Sequence, residues 1–432
     1  MPAVSHLRAV LGGARGAEVL QRLYGGRAEA LKSQTARFRR LLDRFARSFP
    51  EDVEVELFSA PGRTEVGGNH TDHNGGRVLA AAVDLDILAA AAKVPGGAVV
   101  IESEGYPRQV IPLDELDPRE EERYTAGALT RGVCARLREL GYRIGGFHAC
   151  LVSQVPRGSG LSSSAAYEVL IASILNHFYN AGRVPELELA RAAQYAENRY
   201  FGKPCGLMDQ TASLTGGLLA IDFRDSQHPQ LRRLRCDFAA GGLRLLIVDT
   251  GAGHEDLNEE YASIEREMKA VARALGGSLL REFDKDQVLR QAACLRSSAG
   301  DRAILRALHF YDEDRRVVEQ AAALERGDFP AFLRLAVESG RSSWMLLQNC
   351  YPPRSGRAQG VALALAVSET LLDGEGAWRV HGGGFAGTVQ AYVPVGRLEG
   401  YLEAMRGIFG RRSCRELAVR PIGTVRLEGL AG

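Results

Sequence analysis

Apolar positions recur three to four residues apart over RFRRLLDRFARSF, residues 37–49, which is the spacing of an amphipathic helix. Residues 1 to about 50 are rich in arginine and predict a helical extension packed on the outside of the main body. From Val53 the period shortens. VEVELFSAPGR alternates and then meets Pro61-Gly62, predicting a strand that stops in a turn. An apolar run, VLAAAVDLDILAAAA, leads through Gly-rich and charged sequence to a helical stretch, TAGALTRGVCARLREL. FHACLV (147–152) then reads as a strand and AAYEVLIASILNHFYN (165–180) as a helix. Further on, PELELARAAQYAENRYF predicts a helix, LRLLIVDTG (243–251) a strand, and HEDLNEEYASIEREMKAVARAL a long helix with a solvated charged face. Residues 276 to about 357 read as helical. AWRVHGGGFAGTVQAYVPV sets glycines between two apolar runs, predicting a hairpin.

With 432 residues, two domains are the expectation. The chain carries 54 basic and 53 acidic residues, so global charge gives no reason to expect nucleic acid or an anionic membrane as partner. The most apolar run, residues 78–94, contains Asp84, Asp86 and Lys93 and does not read as a membrane span. No secretory h-region is visible at the N-terminus, and Glu18, Glu29 and Asp43 argue against a transit peptide. The cysteines at 134, 150, 205, 236, 294, 350 and 414 show no C-x-x-C spacing, which argues for a reducing compartment, the cytoplasm, and against a thiolate metal site.

Three stretches hold candidate chemistry. QVPRGSGLSSSAA (154–166) lies between the strand and the helix, where unpaired N–H groups and the helix dipole favour an anion such as phosphate. Gly158 and Gly160 let the chain turn tightly. Ser162, Ser163 and Ser164 can cap the helix, bind phosphate oxygens or ligate a metal. TEVGGNHTDHNGG (64–76) crowds His70, Thr71, Asp72 and His73 among four glycines, a density that suits a small polyhydroxylated ligand. In GKPCGLMDQTASLTGG (202–217), Asp209 lies in Gly-bounded loop sequence, either as an N-cap for TASLT or as a base that reaches a substrate. Glu197 lies in the helix before it. Gly382, Gly384 and Gly387 match G-x-G-x-x-G, but TVQAYVPV alternates like a strand, so a dinucleotide fold is excluded. No G-x-x-x-x-G-K-[ST] is present, which excludes a P-loop NTPase.

APGRTEVGGNHTDHNGG, VPRGSGLSSSAA, AENRYFGKPCGLMDQ and HGGGFAGTVQAYVP, in this order, resemble the GHMP small-molecule kinase superfamily and, within it, the galactokinases. The resemblance spans about residues 58–395. It implies an α+β fold of two domains with the active site in the cleft between them, here 51–240 and 241–432 after a helical extension over 1–50. It implies ATP and Mg²⁺ as cofactors and a sugar as substrate; the balanced charge and the charged apolar run above predict no nucleic-acid or membrane partner. Laid on this sequence, Asp209 matches the residue proposed to accept the proton of the sugar C1 hydroxyl. Arg63 matches the arginine that stabilises the attacking oxygen and the phosphoryl group. Ser164 and Glu197 match the Mg²⁺-associated pair. Asn69, His70 and Asp72 match sugar-holding positions, joined by Gly206 and Tyr261. Gly158, Ser159, Gly160, Leu161, Ser162, Ser163 and Ser164 match the loop around the ATP phosphates. The implied reaction is phosphorylation of galactose at its anomeric hydroxyl. Alternatives are a related sugar, such as N-acetylgalactosamine or arabinose, and an inactive sugar and ATP sensor. The sequence departs from the family pattern at Asn69, where a glutamate is usual, at Thr64-Glu65-Val66, where apolar residues are usual, and at His73, where tyrosine is usual.

Overall fold

The computed structural model describes residues 3–25, 28–51, 54–156, 158–251, 257–353 and 357–428. Val53, Arg157 and residues 254–256 of the expected long helix lie outside them. Helices α1 (Val4–Leu11), α2 (Ala14–Tyr24) and α3 (Ala28–Ser48) come first, broken at Gly12-Gly13 and Gly25. They are followed by β1 (Glu56–Gly67), β2 (Arg77–Lys93), β3 (Ala98–Ser103), β4 (Gln109–Pro112), α4 (Ala126–Glu139) and β5 (Phe147–Ser153). Next are α5 (Ser163–Asn180), α6 (Glu186–Ala196), α7 (Met208–Thr215), β6 (Leu218–Asp222), β7 (Gln230–Leu234) and β8 (Leu243–Asp249). The rest comprises α8 (Asn258–Ala274), α9 (Lys285–Arg290), α10 (Ala292–Ser298), α11 (Asp301–Glu325), α12 (Phe329–Ser342) and α13 (Gly360–Leu372). It ends with β9 (Ala377–Val380), β10 (Thr388–Pro394), α14 (Leu398–Phe409), β11 (Cys414–Leu417) and β12 (Val425–Arg426).

The alanine-rich apolar run becomes β2, the strand around which the larger sheet is built. One edge pairs antiparallel with β1, while the other pairs with β6 at its start and β5 at its end. The main path runs β12-β1-β2-β5-β3-β4. Because successive side chains point to opposite faces, alternate residues of β1 and β2 enter different cores. Leu57, Leu88, Ala90 and Ala92 face Leu20, Phe38, Leu42 and Phe45 of the N-terminal helices. Phe58, Ala89 and Ala91 share a core with Leu170 and Ile171 of α5. The extension is therefore one layer of the fold. A second sheet, β11-β8-β10-β9, is wholly antiparallel, and the β9–β10 hairpin carries the C-terminal glycines.

The N-terminal layer is fixed by a buried charge. Asp86 on β2 accepts from Arg37 of α3 at 2.5 Å, Tyr24 of α2 at 2.5 Å and Arg420 at 2.9 Å. Burial alone raises its pKa; the two guanidinium groups reverse that and hold it below the usual carboxylate range.

Two sequence expectations need correction. The first strand does not stop at Pro61-Gly62. β1 runs on to Gly67, with a register shift between Pro61 and Arg63, because a bulge tolerates the proline that a regular ladder rejects. Gly62 has a further use there. A Cβ on it would lie 2.9 Å from the Leu161 carbonyl, the oxygen that accepts the Arg63 N–H at 3.1 Å. The second correction concerns Asp209, which is neither on a loop nor an N-cap. Leu207 occupies the N-cap position of α7, with no side-chain capping bond, and Asp209 sits in the first turn.

Candidate active site

The Gly/Ser loop enters α5 through two left-handed glycines, Gly158 and Gly160, both at φ +69°. Ser162 is the N-cap residue but is itself left-handed at φ +56°, and its side chain makes no capping bond. Its hydroxyl donates to Asp209 Oδ2 instead. The helix dipole and the first-turn N–H groups of α5 thus face a cavity of about 960 Å³, whose wall includes Gly158, Ser159, Gly160 and Ser162–Ser164. Leu161 is an exception to the expected set. Its side chain is buried in the core and its carbonyl is taken by Arg63, because the turn that exposes its neighbours faces it inward.

The bulge in β1 aims Arg63 across this loop. Its Nε and Nη2 donate to the two oxygens of Asp209 at 2.6 and 2.7 Å, and Nη1 donates to the Gly160 carbonyl. The bidentate fork fixes both side chains. Burial pushes the Asp209 carboxyl up, but the Arg63 charge and hydrogen bonds, with Ser162, bring it below the ordinary range. Asp209 is therefore an anion held in one orientation.

His381, which sequence reasoning passed over, locks the loop to the glycine hairpin. Thr388 donates to the Ser159 carbonyl at 2.9 Å, so its oxygen accepts from His381 Nδ1 at 3.0 Å. His381 Nε2 then accepts from Thr64 at 3.0 Å. Burial, then the Arg63 charge, keeps this ring neutral. A Cβ on Gly160 would lie 2.6 Å from His381 Nδ1, so the close packing depends on that glycine. The signal was present in HGGG, but nothing in sequence links it to SGLSSS.

The cavity is also lined by His70, Asp72, His73, Gly206 and Tyr261. The His70 ring is spent on the protein. Nε2–H donates to the Gly383 carbonyl at 3.0 Å, and Nδ1 faces His73 Nε2 at 3.4 Å. Burial lowers its pKa to about 3, so it forms a neutral wall. Asp72 presents a carboxylate beside Gly206, where a Cβ would lie 1.8 Å from Oδ2. Tyr261 donates to the Gly384 carbonyl at 3.2 Å, which joins α8 to the hairpin.

Asn69 does not join this wall and is a correction. It is fully buried, with Nδ2 on Glu65 at 3.0 Å and on the Gly382 carbonyl at 2.7 Å, while Oδ1 accepts from Asn349 at 2.9 Å. Its neighbours Gly68 at φ +89° and His70 at φ +59° turn it inward. Glu65 lines the cavity instead, and Arg379 neutralises it at 2.6 Å. Burial raises its pKa despite that partner.

Ser164 and Glu197 meet, with Ser164 Oγ donating to Glu197 Oε1 at 2.8 Å. Glu197 is 1% exposed and lies behind Ser164. Both donors are hard oxygens, Ser164 in the first turn of α5 and Glu197 directly after the end of α6. Among the described residues no group of three or more His, Cys, Asp or Glu forms a metal cage. That donor set fits Mg²⁺, which takes one or two protein oxygens and completes its shell with phosphate and water.

A family model described as "GHMP kinases N terminal domain" matches residues 128–217, and one described as "Galactokinase galactose-binding signature" matches residues 43–93. Galactokinase from Streptomyces coelicolor is 34% identical over 82% of this chain and 88% of its own length. Human galactokinase is 36% identical over 80% of this chain and 86% of its own length. Among solved structures, Lactococcus lactis galactokinase complexed with galactose superposes with a TM-score of 0.76 at 24% identity, covering 89% of this chain and 98% of that one. Methanococcus jannaschii mevalonate kinase gives 0.58 at 15% identity, covering 85% and 98%. The two superpositions share the fold, and the extent of identity to the curated relatives fixes the narrower group: this chain belongs to the galactokinase family of the GHMP kinases.

Proposed function

We propose that the protein transfers the γ-phosphoryl group of ATP to the anomeric hydroxyl of galactose, giving α-galactose 1-phosphate and ADP. The observation that carries this reading is the Arg63–Asp209 fork, set between the dipole of α5 and the polar pocket around Asp72. The sugar C1 oxygen bonds to the γ-phosphorus, the bond from that phosphorus to the β,γ-bridging oxygen breaks, and the hydroxyl proton leaves toward Asp209 or water. Phosphoryl transfer needs positioning and charge neutralisation more than covalent help. Arg63 and the N–H groups of the α5 start supply the charge, and Asp209 orients the hydroxyl. Mg²⁺, when bound with ATP at Ser164 and Glu197, neutralises phosphate charge. Beyond the phosphate loop the cavity wall turns apolar at Val110, Ile111, Leu129, Tyr167 and Phe201, which suits a purine ring.

The supporting division is the helical extension over 1–50 and two domains, 51–240 and 241–432, with the reaction between them. β1–β7 and β8–β11 form separate sheets, and only β12 returns to the first. A cytoplasmic setting fits seven unpaired cysteines. Among the described residues no helix is long and apolar enough to cross a membrane.

A sugar panel in an ADP-release assay tests the reading. Galactose is expected to give the highest kcat/KM over N-acetylgalactosamine and arabinose. ADP release with none of them, while both ligands bind, marks a sensor.

Asp72 gives this activity a pH signature. Burial first, then the Asp209 charge, raises its carboxyl from 3.8 to about 6. The sugar needs the ionised form as acceptor, so kcat/KM for galactose rises with pH through a midpoint near 6. Because the folded protein holds this proton more tightly than the unfolded chain, Asp72 does not destabilise the fold on acidification. In Asp72→Asn the limb is expected to vanish along with most of the affinity. A pH–rate profile unchanged in that variant assigns the limb elsewhere.

A further inference from the structure

Within the cavity, the ammonium group of Lys203 has no part in the chemistry above, although it touches the residue expected to hold the metal. Glu197 opens a π-helical turn, Glu197–Phe201, which closes on Gly202 at φ +89°. The N–H groups of Gly202 and Lys203 both donate to the Glu197 carbonyl, at 3.0 and 3.1 Å. This closure carries the Lys203 stem back over the carboxylate from which the turn started. Lys203 Nζ reaches Glu197 Oε1 at 3.1 Å, and the lysine side chain is 41% exposed against 1% for the glutamate.

Both oxygens of the Glu197 carboxylate are engaged in this arrangement. Oε1 accepts from Ser164 at 2.8 Å as well as from Lys203, and Oε2 accepts from Gln210 at 3.0 Å. Gln210 is buried and Ser164 has a short side chain in the first turn of α5, whereas Lys203 ends a flexible four-carbon stem with three rotatable donors. Lys203 lines the same cavity as Ser163 and Ser164 at the start of α5. A divalent ion that takes Glu197 Oε1 as ligand competes there with Ser164 and Lys203, and the lysine is the donor that can swing away into the cavity.

We propose that Lys203 is a phosphate-binding residue that exchanges partners: it neutralises Glu197 until a metal–nucleotide complex arrives, then yields the carboxylate to the metal and donates to the terminal phosphate oxygens. This rests on the kinase reading of the site. It adds a cation to the phosphate pocket and makes Glu197 a ligand with a built-in competitor.

The test uses Lys203→Met, which keeps the stem and removes the charge, with Lys203→Arg as the charge-retaining control. Titration calorimetry with ADP in saturating Mg²⁺ reads the phosphate contact in the metal–nucleotide complex. Lys203→Met is expected to bind ADP ~10-fold or more weakly, the range for losing a hydrogen bond to a charged group, and Lys203→Arg to recover part of that. Mn²⁺ binding to the nucleotide-free protein, read by electron paramagnetic resonance, is expected to tighten several-fold in Lys203→Met, because the competing ammonium is gone. A merely structural lysine would not move the two affinities in opposite directions. If either affinity stays at the wild-type value in a variant with unchanged thermal unfolding, the proposal is overturned. Failure of the wild-type protein to bind ADP at all would overturn the kinase reading instead, so the two failures are distinct.

Discussion

Asp209→Asn is expected to lower turnover by ~10²-fold or more, within the range for a positioned proton acceptor, while the KM for galactose changes little. The substitution keeps the shape and removes the charge that Arg63 grips through two bonds at 2.6 and 2.7 Å. Arg63 is then left with a neutral partner and turns away from the line between sugar and phosphate. Because Arg63 and Ser162 depress the Asp209 pKa, the residue stays anionic well below neutrality and is a weak base. Its effect is exerted chiefly through orientation of the hydroxyl, whose proton can leave late, as the new bond forms. Steady-state kinetics with saturating ATP check this, and near wild-type turnover removes Asp209 from the mechanism. The acid limb assigned to Asp72 must persist in Asp209→Asn, shifted downward, since the Asp209 charge is one of the causes that raise it.

Local periodicity was enough to place the strand and helix that flank the Gly/Ser loop, because β5 and α5 are long, regular and bounded by glycine and serine. It was also enough to reject a dinucleotide fold at residues 382–387, since TVQAYVPV does become β10. It failed where tertiary contacts override local preference. Pro61 ends a strand in isolation, but here a bulge absorbs it and delivers Arg63 to the cavity. Asp209 reads as loop because glycines surround it, yet it lies in the first turn of α7. Asn69 belongs by spacing to a crowded polar segment, and only positive φ angles on both sides show that it points inward. The anchor at Asp86 was invisible for a different reason. Its partners Tyr24, Arg37 and Arg420 are scattered over almost the whole chain, and an aspartate inside an apolar run signals nothing except that the run is not a membrane span. His381 and Lys203 were missed because each takes its meaning from a neighbour that sequence cannot supply.

Arg63→Lys is expected to be nearly as damaging as loss of Asp209, despite keeping the charge. Three donors of one planar group reach Asp209 Oδ1, Asp209 Oδ2 and the Gly160 carbonyl together, and a single ammonium cannot span those positions. Turnover should fall by ~10²- to 10³-fold, the loss seen when one preorganised donor to a developing charge is removed. Lysine is a better choice than alanine because alanine would strip Asp209 of its counter-charge and leave it the Ser162 hydroxyl, a loss of stability that confuses the reading. The double variant decides whether the pair acts as one device. If Arg63 and Asp209 are useful only together, Arg63→Lys/Asp209→Asn should be scarcely slower than the worse single variant, because groups acting as a unit are far from additive. If the two losses multiply, each residue acts on its own part of the reaction: Arg63 on the phosphoryl oxygens and Asp209 on the sugar hydroxyl. The hydrogen bonds favour the first outcome, since the fork occupies both carboxylate oxygens of Asp209 and sets the direction in which each can face the substrate.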